Sequence, residues 1–232
     1  MPQTHLTLIS SMATKALLAD LVNAFTQQYP DTTLNVTSVG GVDAAKRVQA
    51  GEAFDIVALA SDAIDKLAAG GSVVGGTRTD MVDSAVAVAV PAGAAMPDIG
   101  SEAALKAAVL AAPTLGYSTG PSGVQLAALF ERWGIAAQIA PRIVTPPPGM
   151  PVGSLVASGD VALGFQQLSE LMNLPGIQLV GVLPPAVAIV TTFSAARSAA
   201  SQNPEAVQRF LSFVASPQTA ELKRQHGMSA AG

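Results

Sequence analysis

Cysteine is absent from the chain, and its two histidines, His5 and His226, stand at opposite ends of the sequence. Disulfides, thiol nucleophiles and the usual Cys/His zinc sites are thereby excluded, and no metal ligand set is expected. Neither histidine lies near a candidate nucleophile, so a Ser/His/Asp hydrolase is not expected either. Charge is sparse: 12% of residues are charged and the net charge is −4, which leaves no basic surface for a phosphate backbone and makes nucleic acid an unexpected partner. Half of the residues are hydrophobic, but glycine and proline interrupt them and no run reaches the ~18 apolar residues of a membrane span. No membrane insertion is expected. The chain opens Met1-Pro2-Gln3 with neither the basic nor the apolar region of a secretory signal. That opening fits a cytoplasmic protein, or an exported one whose signal a start methionine replaces.

The 232 residues suffice for two lobes, each with its own core. Strand-like runs alternate with helical patterns: "HLTLIS" then 13–29, "TLNVTS" then 42–51, "FDIVALA" then 62–70. Such alternation predicts an α/β fold with a parallel sheet. "SAVAVAVP" (84–91) reads as a strand leaving this first set. A second set follows, with helices at 101–110, 121–134 and 152–158 and strands at "TLGYST", "AQIAPRIV" and "VALGFQ". The segment 177–193 reads as a strand, a proline turn and a long strand back, and the tail as a helix after Asn203-Pro204 and a short helix ended by Gly227. The expectation is lobe one at 1–83 plus 190–232 and lobe two at 84–189, joined by a two-strand hinge with a ligand cleft between them. A monomer is expected.

Ligands of open α/β sheets bind outside the carboxyl ends of the strands. Four loops there carry hydroxyls, glycines and helix N-termini, the combination that receives anions. They are Ser10, Ser11, Met12 and Thr14 entering the first helix; Gly40, Gly41 and Val42; Ser118, Thr119 and Ser122 of "STGPSG"; and Gly149 with Met150. Each is also an ordinary helix start. Gln166 and Gln167 add amides at the end of "VALGFQ", and Glu170, one helical turn on, is expected to face solvent. "STGPSG" lacks the lysine and spacing of a P-loop, and "SVGGVD" does not fit the dinucleotide pattern, so no cofactor is expected. For acid–base work the candidates are Lys15, Asp62 and Tyr117. Asp62 reads equally as a helix cap, and Lys15 as a carboxylate clamp or a solvated side chain.

The blocks "LTLISSMATKALLADLVNAF", "VTSVGGVDAAKRVQAGEAFDIVALAS", "LGYSTGPSGVQLAALFERWGI", "ALGFQQLSEL" and "FLSFVASPQTAELKRQHGM" resemble the periplasmic molybdate-binding proteins of ABC transporters and their solute-binding relatives over nearly the whole chain. The resemblance implies the type II periplasmic-binding fold, with two α/β lobes of mixed, mainly parallel sheets. It further implies an oxyanion held by hydroxyls and backbone N–H groups, a periplasmic location and an ABC permease as partner. Where that family has a serine entering the first helix, a serine in the second loop and a tyrosine over the oxyanion, this chain has Met12, Gly41 and Gln167. Those departures point from molybdate toward a small organic anion, a di- or tricarboxylate. "STGPSG" and "GFQQLSEL" are also similar to a divergent branch that includes aconitate isomerase, which implies an alternative: an allylic proton shift on a tricarboxylate without metal or cofactor. Molybdate or tungstate binding is a further alternative.

Overall fold

Apolar residues at every second position carry Thr4–Ser11 into a strand, β1, with Leu6 and Leu8 in one core cluster and Ile9 in another. A computed structural model describes residues 3–147 and 150–231, so Gly149, together with Pro148, lies outside the described residues. The chain divides into two units, Met1–Asp83 with Thr192–Gly232, and Ser84–Thr191.

In the first unit a short 3-10 turn, Met12–Thr14, links β1 to helix α1 (Lys15–Gln28). Then come β2 (Thr32–Val39), α2 (Gly41–Gln49), β3 (Ile56–Ala60), α3 (Ser61–Ala69) and the start of β4 (Thr79–Pro91). β1 lies between β2 and β3 and is parallel to both. All five residues of β3 are buried: Ile56, Ala58 and Ala60 join the cluster that holds Leu17, Phe25 and Phe210, while Val57 and Leu59 join Val48, Ile64 and Leu67 on the other face. A parallel sheet covered by helices on both faces reads this way, as a continuous apolar run.

The second unit continues β4 and adds α4 (Glu102–Ala111), β5 (Leu115–Tyr117), α5 (Pro121–Arg132), α6 (Ala136–Ile139), β6 (Ile143–Val144), α7 (Val152–Ala157), β7 (Leu163–Gln167), α8 (Leu168–Leu171) and β8 (Ile177–Val182). β7 is antiparallel to β4 and parallel to β5, which is parallel to β6. Val86, Val88 and Val90 face the cluster containing Phe130 and Phe165, whereas Ala87 and Ala89 face Val152, Val156 and Val161. On that second face Gly116 and Gly164 lie directly under α7: a Cβ on Gly164 would stand 2.3 Å from a Val156 methyl, and one on Gly116 2.8 Å from a Val161 methyl. The helix seats against bare backbone.

β9 (Val190–Arg197) returns the chain to the first unit, antiparallel to β3, and α9 (Pro204–Ala215), α10 (Ala220–Gln225) and β10 (Met228–Ala230) follow. Asp55 secures this return. It is 9% exposed and accepts from the Thr7 N–H at 3.0 Å, Thr7 Oγ1 at 3.2 Å, Ser201 Oγ at 2.6 Å and Asn203 Nδ2 at 3.1 Å. Burial pushes its carboxyl up, and these hydrogen bonds outweigh burial and hold it below the usual carboxylate range.

Three expectations differ from what is observed. "AQIAPRIV" is not a strand but α6, a 3-10 turn and only two strand residues, because Arg142 is drawn back to the carbonyls of Leu110 and Ala112 at 2.9 and 2.5 Å. β4 begins at Thr79 rather than 84; Asp80 and Asp83, which break the apolar run, are taken up by Ser194 and Thr192 hydroxyls at 2.5 and 2.6 Å. β10 was not expected.

Candidate functional site

The carboxyl edge of each sheet is set by register. In the first unit Ser10 pairs with Ser38 and Ala58, and Ser11 with Val39, so β1, β2 and β3 end together and each leads at once into a helical turn. Helices α1, α2 and α3 begin without a side-chain cap, which leaves first-turn N–H groups for other acceptors. Asp62 is therefore not a cap: it pairs with Lys66 at 3.4 Å on an exposed face of α3. The Ser10 hydroxyl is fully buried and bonded to Ser38 Oγ at 2.8 Å, and Thr14 donates to the Ser11 carbonyl at 3.3 Å. Ser11 differs: it is 7% exposed, yet its hydroxyl has no hydrogen-bond partner. Gly41, opening α2, stands beside it, with a Cβ position 3.7 Å from Ser11 Cβ. Met12 and Val42 present exposed apolar side chains on the same edge, and Lys15 is exposed at the first position of α1.

In the second unit β5, β6 and β7 are parallel; Tyr117, the last residue of β5, is level with Phe165, and β7 runs two residues further, to Gln167. Ser118 and Ser122 bring their hydroxyls within 3.3 Å, and Gly123 is obligatory there, since a Cβ would fall 1.6 Å from the Ser118 carbonyl oxygen. Thr119 and Met150 are exposed. Gln166 and Gln167 are both 5% exposed. Gln166 Oε1 accepts from the Gly153 N–H at 2.8 Å, and Nε2 donates to Glu170 at 2.8 Å. Gln167 Nε2 donates to Thr191 Oγ1 at 2.9 Å, and its other amide end is buried without a partner. Rotating that amide by half a turn lets Thr191 donate instead and offers the NH2 as the free end. Tyr117 is half-buried against Phe130, and burial pushes its hydroxyl pKa up, so it remains a donor.

Glu170 does not face solvent as expected. It is half-buried on α8, and α7, β7, α8 and β8 carry no other charged residue. Burial pushes its carboxyl up to about 7, against a smaller downward pull from the Gln166 hydrogen bond. A lone acid four residues after a buried amide, in otherwise neutral sequence, is the signal that could have marked it.

The cations of the second unit are committed elsewhere. Lys106 donates to the Trp133 carbonyl, Arg132 pairs with Glu102, and Arg142 caps α4. The donors left on this edge are hydroxyls, amides and backbone N–H groups. Among the described residues no group of three or more His, Cys, Asp or Glu could hold a metal ion, and no helix is long and apolar enough to cross a membrane. A concavity of about 650 Å³ in the first unit, along α9 and the end of α1, contains none of the candidate residues.

The sequence model of a family described as bacterial extracellular solute-binding protein matches residues 6–229. An aconitate isomerase of Pseudomonas sp. is 34% identical over 235 residues, covering 98% of this chain and 88% of that protein. The periplasmic molybdate-binding protein of Azotobacter vinelandii has a similar structure, with TM-score 0.80, 17% identity, and coverage of 98% of this chain and 100% of that one. So does the sulfate-binding protein of Mycobacterium tuberculosis H37Rv, with TM-score 0.79, 17% identity, and coverage of 99% and 88%. At such identities the structural likeness speaks for fold, and the fold is the type II periplasmic-binding α/β fold.

Proposed function

Because the chain belongs to the bacterial extracellular solute-binding protein family, we propose that it binds a small organic anion, a di- or tricarboxylate, at the carboxyl ends of its strands. The observation that carries this reading is a pair of buried polar groups without partners, the Ser11 hydroxyl and the free end of the Gln167 amide. A buried polar group left unpaired costs about 1–3 kcal/mol, and a ligand that pairs it recovers that energy on binding. Met12, Gly41 and Gln167 offer one hydroxyl fewer at each position than a bare oxyanion site of this fold would use. The exposed Met12 and Val42 suit a ligand with a hydrocarbon skeleton. In this reading the protein acts as a monomer outside the cytoplasmic membrane and passes its ligand to an ABC permease.

Thermal-shift measurements with molybdate, tungstate, sulfate, succinate, citrate and cis-aconitate test it. Carboxylates are expected to raise the melting temperature, and Ser11→Ala to weaken the best of them about 5- to 150-fold, the equivalent of about 1–3 kcal/mol. A shift with molybdate or tungstate alone would sink the carboxylate reading.

The second reading, interconversion of cis- and trans-aconitate, is favoured by the 34% identity to aconitate isomerase over nearly the whole chain. The reaction takes a proton from one carbon and returns one to another, for which a group titrating near neutrality is best matched. Glu170, whose carboxyl burial pushes up to about 7, fits that requirement. NMR of cis-aconitate incubated with pure protein should show the trans isomer accumulating, and Glu170→Gln should slow it at least 100-fold. An unchanged spectrum after long incubation leaves binding alone.

A further inference from the structure

A second concavity, of about 190 Å³, opens in the second unit at the end of β5, the first two turns of α5 and the end of β6. Four of its lining residues carry hydroxyls: Tyr117, Ser118, Thr119 and Thr145. Val124, Ala127 and Ile143 supply apolar lining, and no charged residue takes part. Val124, on the first turn of α5, is 65% exposed. The volume equals that of about six waters, and it falls below the ~300–1,000 Å³ of pockets that enclose a whole ligand. It suits part of a molecule that carries both carbon and hydrogen-bonding oxygen.

We propose that this concavity is a subsite for one arm of an organic carboxylate, its methylene or vinyl carbons against Val124, Ala127 and Ile143 and its oxygens on the Tyr117 and Thr145 hydroxyls. The inference rests on the carboxylate-binding reading and deepens it. A tetrahedral oxyanion has no carbon to place there, so the subsite selects for ligands with an arm. Because its donors are neutral, it also selects by shape and hydrogen bonding rather than by net charge.

Calorimetric titration with citrate, which has three arms, and malonate, which has none to spare, tests the subsite in the 232-residue protein. Ala127→Phe fills the concavity and should weaken citrate at least 10-fold while leaving malonate within twofold. Thr145→Val removes a hydroxyl at nearly constant volume and should weaken citrate about 3- to 10-fold, which keeps the test decisive if the larger substitution impairs folding. Citrate binding that is unaltered in both variants, or equal losses for both ligands, overturns the subsite and leaves the parent reading standing. Wild-type protein that binds neither carboxylate overturns the parent reading and the subsite with it.

Discussion

Glu170 holds its proton to about pH 7 in the folded protein, whereas its ordinary value is 4.5. Its carboxyl therefore favours the folded state most at acid pH, and that contribution is lost as pH rises through the interval from 4.5 to about 7. Glu170→Gln keeps the shape, removes the charge and retains a partner for Gln166. The variant is expected to exceed the parent in stability by about 1–3 kcal/mol at pH 8 and by much less at pH 5, as read by urea unfolding. An equal difference at both pH values would show that Glu170 does not titrate in this interval. The same residue shows what a linear reading misses. Its distance along the helix suggested solvent, and only the packing of α8 against β7 and β8 leaves it half-buried among neutral residues.

The seating of α7 on Gly116 and Gly164 belongs to the scale of elements. Gly164→Ala places a methyl 2.3 Å from Val156, and overpacking of this kind typically costs about 1–3 kcal/mol. Val156→Ala should recover much of that loss in the double variant, a coupling that denaturant melts of the four proteins would measure. Strictly additive losses would mean that the helix does not rest on this contact. Most elements were legible because their punctuation is local: alternation ends at Ser10-Ser11, Gly40-Gly41 or Gly120-Pro121, and a helix pattern begins. The failures have tertiary causes. The segment 137–144 carries strand-like residues but is bent by Pro141 and pinned by Arg142 to carbonyls about 30 residues earlier. β10 is three residues long and exists through its pairing with β4. The glycine and hydroxyl loops of the site were readable for the same local reason, but which hydroxyls stay unpaired was not. Ser10 and Ser11 are neighbours in sequence, and only the opposite Ser38 decides that one is satisfied and the other is not.

At the scale of the molecule, the first unit is assembled from two stretches far apart in the chain, and Asp55 is one place where they are tied together. Asp55→Ala leaves Ser201, Asn203 and Thr7 without their acceptor and should destabilise the protein by about 2–4 kcal/mol in chemical denaturation. Since the folded carboxyl is held below its ordinary 3.8, its contribution is present above that value and is lost as pH falls further. The parent and the variant should therefore converge in stability only in strong acid; an undiminished gap at pH 2 would assign the effect to packing. The arrangement also has a consequence in time. When the ribosome has made Asp55, its Ser201 and Asn203 partners do not yet exist, and residues 84–191 must be synthesised first, which takes roughly 5–20 s at about 5–20 residues per second. The intervening unit, continuous in sequence, can finish folding while the earlier one is still waiting for its last strand.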